Sequence, residues 1–224
     1  MSQHAEGSWD ARFAQAGYLF GTEPNAFLVR QSRNIAPGGH VLSVADGEGR
    51  NGVWLAQQGY CVHTVEASQV AIEKARALAR ERGIPLASEK PIAPGRILIE
   101  QTDVLTWDWP TREYDAVVAI FIQFASPTQR PQLFANMLAA VKPGGVVLLE
   151  GYQLRQLAYG TGGPPVLDHL YDVELLRTSF STTEIISLQD YDQAIDEGDG
   201  HKGMSALVDL VARKPLLPDV GQGG

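Results

Sequence analysis

The sequence predicts an α/β fold: a mostly parallel sheet with helices on both faces. Three observations carry that expectation. Short apolar runs alternate with stretches of helical periodicity along most of the 224 residues. One run, VLSVA at 41–45, passes straight into glycines and then into a helical pattern. The next run, at 60–65, closes on an acidic side chain, Glu66. A glycine turn lets a ligand approach the backbone, the helix start after it offers unpaired N–H groups, and a carboxylate one strand later can accept from a ribose diol.

Taken in order, strands are expected near 41–44, 61–65, 96–101, 116–120, 146–150, 183–188 and 206–212. A helix over 24–34 has apolar positions at Phe27, Leu28 and Ile35, and one over 51–58 starts directly after the glycines. Ser68 is placed to cap a helix over 69–82, which Gly83 then ends. The pattern at 129–141 sets Leu133, Phe134, Met137, Leu138 and Val141 at helical spacing and stops at Lys142-Pro143-Gly144-Gly145. A fifth helix covers 172–180. Residues 196–203 join the last two strands without a helix, which makes them an antiparallel hairpin at the sheet edge. Residues 88–95 read as a surface loop and 215–224 as a flexible tail.

Composition bounds the function. At 44% hydrophobic and 20% charged residues the chain suits one globular domain over 1–224. A net charge of -8, with no run of Lys and Arg to neutralise phosphates, argues against nucleic acid as a partner. The single Cys61 lies in the apolar run GYCVHTV and forms no intrachain disulfide; it reads as a small hydrophobe in a strand. The first residues, MSQHAEGSWDARF, lack a basic region followed by an apolar one, and no stretch approaches the roughly twenty apolar residues of a membrane span. A cytoplasmic enzyme without membrane contact is the expectation, and the oligomeric state is left open.

Residues 47–52, GEGRNG, are literally G-x-G-x-x-G with Glu66 at the distance of a dinucleotide fingerprint, so nicotinamide dinucleotide and S-adenosylmethionine both stand as cofactors. Two further features favour the second. The third strand ends in Thr102-Asp103-Val104, which brings a carboxylate to the same sheet edge, within reach of an adenine amine. The fifth strand is introduced by VKPGG at 141–145 and followed by the closing hairpin.

The ordered set GEGRN, WLA (Trp54 to Ala56), VEAS, TDV, YDAVV (114–118) and KPGG resembles class I S-adenosylmethionine-dependent methyltransferases over nearly the whole chain. It is most similar to the small bacterial branch that includes tellurite-resistance methyltransferases. The resemblance implies a seven-stranded Rossmann-like sheet of order 3-2-1-4-5-7-6 with the last strand antiparallel. It implies that Gly47 and Gly49 let the methionine portion lie on the backbone, that Glu66 holds both ribose hydroxyls, and that Asp103 with the N–H of Val104 reads adenine. Ala45, Asn51, Ala67 and Ile120 complete the expected cofactor set. The segment 1–36 resembles the family's N-terminal lid, which leaves 37–214 as the core.

The chain departs from the family where an acidic residue and a glycine usually open the motif: Ser43 and Ala45 stand there, and Asp46 occupies a commonly small position. Asp46 either pairs with the cofactor's ammonium or caps the turn. Glu48 and Arg50 read as solvated or helix-pairing residues. The fourth strand ends in Ile120-Phe121-Ile122-Gln123-Phe124 and lacks the Pro-Pro tetrapeptide of base-amino methyltransferases; no acidic pair has metal-ligand spacing. A small acceptor that is already nucleophilic, a thiol, a metalloid oxyanion or a carboxylate, fits that pattern. Tyr18 and Arg12 of the lid, Phe124, and Tyr159 at the start of a glycine-rich loop are the candidate acceptor contacts. His201, in the hairpin loop at the carboxyl edge, is the candidate base or, as a cation, an anion holder, with a merely solvated loop histidine as the plainer alternative. A non-catalytic S-adenosylmethionine-binding protein and a nicotinamide-dependent oxidoreductase remain as other readings.

Overall fold

The computed structural model describes residues 6–217; the first five residues of the lid segment and the tail beyond 217 lie outside the described residues. A seven-stranded sheet runs in the order β3-β2-β1-β4-β5-β7-β6. The strands are β1 (His40–Val44), β2 (Cys61–Glu66), β3 (Arg96–Gln101), β4 (Tyr114–Ile120), β5 (Val141–Tyr152), β6 (Glu184–Asp196) and β7 (Lys202–Arg213). Strands β3 to β5 pair in parallel, and β7 runs antiparallel to both its neighbours, β5 and β6.

Successive residues of the central strands serve opposite faces, as the twofold repeat of a strand requires. Leu42, Val44, Val117 and Ala119 join the layer of α5 (Arg130–Ala140) and α6 (Val173–Ser179), with Leu133, Phe134, Met137 and Leu176. Val41, Ala116 and Val118 join the layer of α2 (Ala26–Gln31), α3 (Arg50–Gln57) and α4 (Gln69–Glu81), with Phe27, Leu28, Leu55, Ile72 and Leu78. Both faces are buried, which is why the strands read as continuous apolar runs. The Ser68 hydroxyl accepts from Ala71 N at 3.1 Å and so caps α4 as its position suggested.

Four elements differ from expectation. The helix expected over 24–34 is shorter: the Asn25 side chain caps α2 by accepting from Leu28 N at 2.9 Å, and Ser32–Asn34 follow as a 3-10 turn. A helix, α1 (Glu6–Phe13), was not expected, because eight residues are too few for periodicity to stand out. Lys142–Gly145 do not end a helix ahead of a later strand. They loop out within the β4–β5 ladder, where Tyr114 pairs with Val141 and Ala116 with Val146. The hairpin strands run on to Asp196 and back from Lys202, because the polar sequence DYDQAID occupies the exposed edge strand, where no apolar run is needed. Only residues 197–201 are left to turn the corner.

Candidate active site

The carboxyl ends of β1, β2, β4 and β5 meet at one edge. The chain leaves β1 through Ala45, whose φ of 48° is left-handed, and through Gly47 (59°) and Gly49 (89°). Gly49 is the N-cap of α3, so the first N–H groups of that helix open onto the loop. Asp46 is tied inward: it accepts from Ser43 Oγ at 2.8 Å and from Gly52 N at 3.0 Å. Burial pushes its carboxyl up to about 7, against the pull of those two donors. Ser43 and Asp46 thus act together, the hydroxyl holding the carboxylate that closes the turn.

Two predictions arise here. Ala45 holds a left-handed conformation that costs an L-residue about 1–2 kcal/mol, part of which glycine returns through its looser unfolded chain. Ala45→Gly is expected to raise stability by about 0.5–1 kcal/mol, read as a higher urea midpoint at constant m-value. The second concerns pH. Burial holds the folded-state pKa of Asp46 above the ordinary carboxylate value of 3.8, so its contribution is full at low pH and is lost as pH rises toward about 7. Asp46→Asn keeps an acceptor for Gly52 and does not titrate. Melting temperatures taken across that window should therefore show the wild type losing ground steadily to the variant as pH rises.

Glu66 ends β2 as a buried carboxylate that accepts from Gly47 N and Ser68 N, each at 2.9 Å. Burial pushes its carboxyl up and Asp10 adds to the rise, while the N–H groups of Ser68, Gly47 and Ala67 draw it back. A carboxylate has about four acceptor sites, so these donors leave it able to take a further hydrogen bond, which suits a ribose hydroxyl. From α1, Asp10 accepts from the Ser68 hydroxyl, and the Phe13 ring roofs the glycines, with one ring atom 3.5 Å from where a Gly47 Cβ would stand. The Ala67 carbonyl takes a bond from Gln101 Nε2 at 3.2 Å. Asp103 accepts from Leu105 N at 2.9 Å, which makes it a turn cap at the end of β3; Val104 is buried beside it. Glycine loop, diol-sized carboxylate and acidic β3 end stand in the order that a nucleoside cofactor requires, so these residues fit S-adenosylmethionine.

Of the two alternatives for the side chains between the glycines, the solvated one does not hold, and Glu48 does pair with a helix. Glu48 is buried, accepts from Leu19 N at 2.7 Å and Phe20 N at 3.4 Å, and pairs with Lys74 at 2.8 Å. Arg50 is buried and pairs with Glu197 of the hairpin loop at 2.7 Å. Asn51 accepts from Asn25 N at 2.9 Å. Asn25 in turn donates to Glu197 Oε1 at 3.1 Å and to the buried Glu150 at the end of β5. A hydrophilic motif reads as solvent-facing; its partners lie 26 to 147 residues away in sequence, where no local pattern signals them.

His201 is buried, so the solvated alternative does not describe it. Its ring sits 4.3 Å from Phe20 and from Phe121 and 5.6 Å from Tyr152, centroid to centroid. Burial, with the charges of Arg50 and Arg12, pushes its pKa down to about 3. The ring is neutral at neutral pH, which removes the cationic anion-holder role and leaves that of a hydrogen-bond partner or base. Its Nδ1 has no partner among the described residues. Phe121 follows Ile120 with φ 56°, a turn that aims its ring along the sheet edge at Tyr152, 4.7 Å away.

Of the four acceptor candidates, Arg12 reaches the wall of the His201 enclosure, its guanidinium 4.4 Å over Trp9 and 5.9 Å from the Phe20 ring. Tyr18 is turned away: its hydroxyl donates to the Lys74 carbonyl on α4 at 3.3 Å. Tyr159 is exposed and donates to Asp192 of β6 at 2.9 Å, so the edge strand, and not the cofactor edge, takes its hydroxyl. Phe124 packs against the core layer that holds Ala45 and Val104. Phe13 and Phe20 of the aromatic lid segment and Glu197 of the hairpin loop also stand around the site, as the place of those segments suggests; Tyr152 joins them without a sequence signal.

Residues 41–145 match the model of a family described as methyltransferase domain. Among solved structures, one from work on the conversion of a disulfide bond into a thioacetal group during echinomycin biosynthesis is 19% identical, with a TM-score of 0.72 over 96% of this chain and 94% of that one. TehB from Haemophilus influenzae is 16% identical, with a TM-score of 0.65 over 93% of this chain and 66% of its own. The N-methyltransferase NodS from Bradyrhizobium japonicum WM9, in complex with S-adenosyl-L-homocysteine, is 15% identical, with a TM-score of 0.65 over 94% and 98%. At these identities the likeness is one of fold. No curated protein matches the sequence. Among the described residues no helix is long and apolar enough to cross a membrane.

Proposed function

We propose that this class I S-adenosylmethionine-dependent methyltransferase acts on a small acceptor that arrives already nucleophilic, a thiol, a metalloid oxyanion or a carboxylate. The observation that carries the reading is the enclosure at the carboxyl ends of β4 and β5. There a neutral, buried His201 stands among Phe20, Phe121 and Tyr152. When bound, S-adenosylmethionine supplies an electrophilic methyl whose C–S bond breaks as the bond to the nucleophile forms, releasing a neutral thioether.

The protein's own part is positioning. Gly47 and Gly49 open the backbone, Glu66 takes the ribose, and Asp103 with Val104 marks the adenine end. The aromatic walls exclude water from the nucleophile. His201, held near pKa 3, is too weak a base to strip a proton from an alcohol or an ammonium at neutral pH but suffices to orient a thiol or accept its hydrogen bond.

The test has two parts. S-adenosylhomocysteine at about a hundredfold over its Kd should raise the melting temperature by roughly 5–10 °C, and NAD by nothing measurable. Stabilisation by NAD alone sinks the reading. S-adenosylmethionine is then offered with thiols, tellurite, selenite and carboxylic acids, and release of S-adenosylhomocysteine is followed. Binding without release for every acceptor makes the protein a non-catalytic binder.

A further inference from the structure

The glycine motif has two outputs. Its backbone faces the cofactor edge, while Glu48 and Arg50 reach away from it to the two segments that roof the acceptor side. Glu48 holds the N–H groups of Leu19 and Phe20, which fixes Phe20 as one wall of the His201 enclosure. Arg50 holds Glu197, and Glu197 is the first residue of the turn that carries His201: its N–H donates to the His201 carbonyl at 2.9 Å, and the His201 N–H donates to the Gly198 carbonyl at 3.1 Å. The strap, residues 18–26 of the lid segment, and the turn also touch directly. A Cβ on Gly198 would stand 2.4 Å from Gly21 N and 2.6 Å from the Phe20 carbonyl carbon, and Gly200 N donates to the Leu19 carbonyl at 2.9 Å.

We propose that Glu197 is a positioning residue. Clamped between Arg50 of the cofactor loop and Asn25 of the strap, it sets His201 and the acceptor wall only when the cofactor loop is ordered, so that cofactor binding closes the acceptor side. The Arg50 side chain is buried and that of Glu197 is only 12% exposed, so the pair is largely shielded from solvent and sensitive to a small displacement of either backbone. Asn25 adds the third corner: its Nδ2 meets both Glu197 oxygens, at 3.1 and 3.3 Å, while its N–H rests on Asn51, the residue after Arg50. One loop thus controls both ends of the contact between strap and turn.

The proposal rests on S-adenosylmethionine as cofactor only for its ligand arm. Hydrogen exchange is measured in the full chain and in Glu197→Gln, which keeps the side chain's size and an acceptor for Asn25 but loses the charge that Arg50 holds. Without ligand, residues 18–26 and 197–203 should exchange about tenfold faster in the variant, with the exchange of β1 and β4 unchanged. With S-adenosylhomocysteine, the wild type should gain protection in both segments together, and the variant should lose most of that gain and bind the ligand about tenfold more weakly. Arg50→Gln should weaken binding similarly, and the double variant no further, because the two changes break one contact. Equal exchange in variant and wild type overturns the proposal, as does additive loss in the double variant. Ligand binding that protects neither segment also overturns it while leaving the methyltransferase reading standing. Failure of the wild type to bind S-adenosylhomocysteine strikes that reading instead, and the ligand-free exchange still decides the clamp.

Discussion

Glu66→Ala is expected to weaken S-adenosylhomocysteine binding by about a hundredfold or more, the largest binding effect of any single change at the site. A hydrogen bond to a charged acceptor contributes about 1.5–3 kcal/mol, and a ribose diol makes two of them to one carboxylate. The loop adds to the loss. Glu66 also receives the N–H groups of Gly47 and Ser68, at 2.9 Å each, so its removal leaves two donors unpaired and frees the turn that shapes the cofactor edge. Glu66→Gln separates the two contributions. The amide oxygen still serves one loop donor, but its NH2 group faces the other, and the charge that favours the diol is gone; an intermediate loss of roughly tenfold follows. Calorimetric titration of the three proteins measures this, with thermal melts as a check on folding. Binding to Glu66→Ala within about threefold of the wild type would remove Glu66 from the ribose site.

The cofactor half of the site was legible because its signals are local. A buried parallel strand is an apolar run, a left-handed turn asks for glycine, and an acidic residue at a strand end stands within a few positions of both. Ser43 and Asp46 were visible as departures. Their meaning, a hydroxyl holding a turn-closing carboxylate, needed the 2.8 Å contact to be seen. The acceptor half was legible only in outline. Topology puts the β6–β7 turn at the carboxyl edge and so brings His201 there, but nothing in EGDGH distinguishes a histidine caged by Phe20 and Phe121 from one in water. The solvated alternative for Glu48 and Arg50 fails for the same reason. Charge in a polar loop defaults to solvent, and burial of charge depends on a partner such as Glu197 that sequence spacing does not announce. Residue type and segment point Tyr18 and Tyr159 toward the acceptor, yet their hydroxyls are satisfied by Lys74 and Asp192 elsewhere.

The glycines themselves serve more than ligand approach, and a matched pair of substitutions shows it. Gly49 and Gly59 have nearly the same backbone, φ 89° and 87°. An alanine at either position pays the left-handed penalty of about 1–2 kcal/mol. They differ in space. A Cβ on Gly59 meets nothing within 4 Å, whereas on Gly49 it would lie 2.6 Å from Ala75 Cβ and 2.9 Å from Ala75 Cα on α4. Backbone and a methyl group cannot rotate away, so α3 and α4 must separate where they pack, at a further cost of about 1–3 kcal/mol. Gly49→Ala is therefore expected to destabilise by roughly 2–5 kcal/mol and lower the melting temperature by about 4–20 °C, and Gly59→Ala by only about 1–2 kcal/mol. Paired thermal and urea melts measure the difference. Equal losses would mean that conformation alone requires Gly49. The expected inequality means that the motif's second glycine is demanded first by the approach of two helices, and that the cofactor loop is shaped by the packing behind it before any ligand arrives.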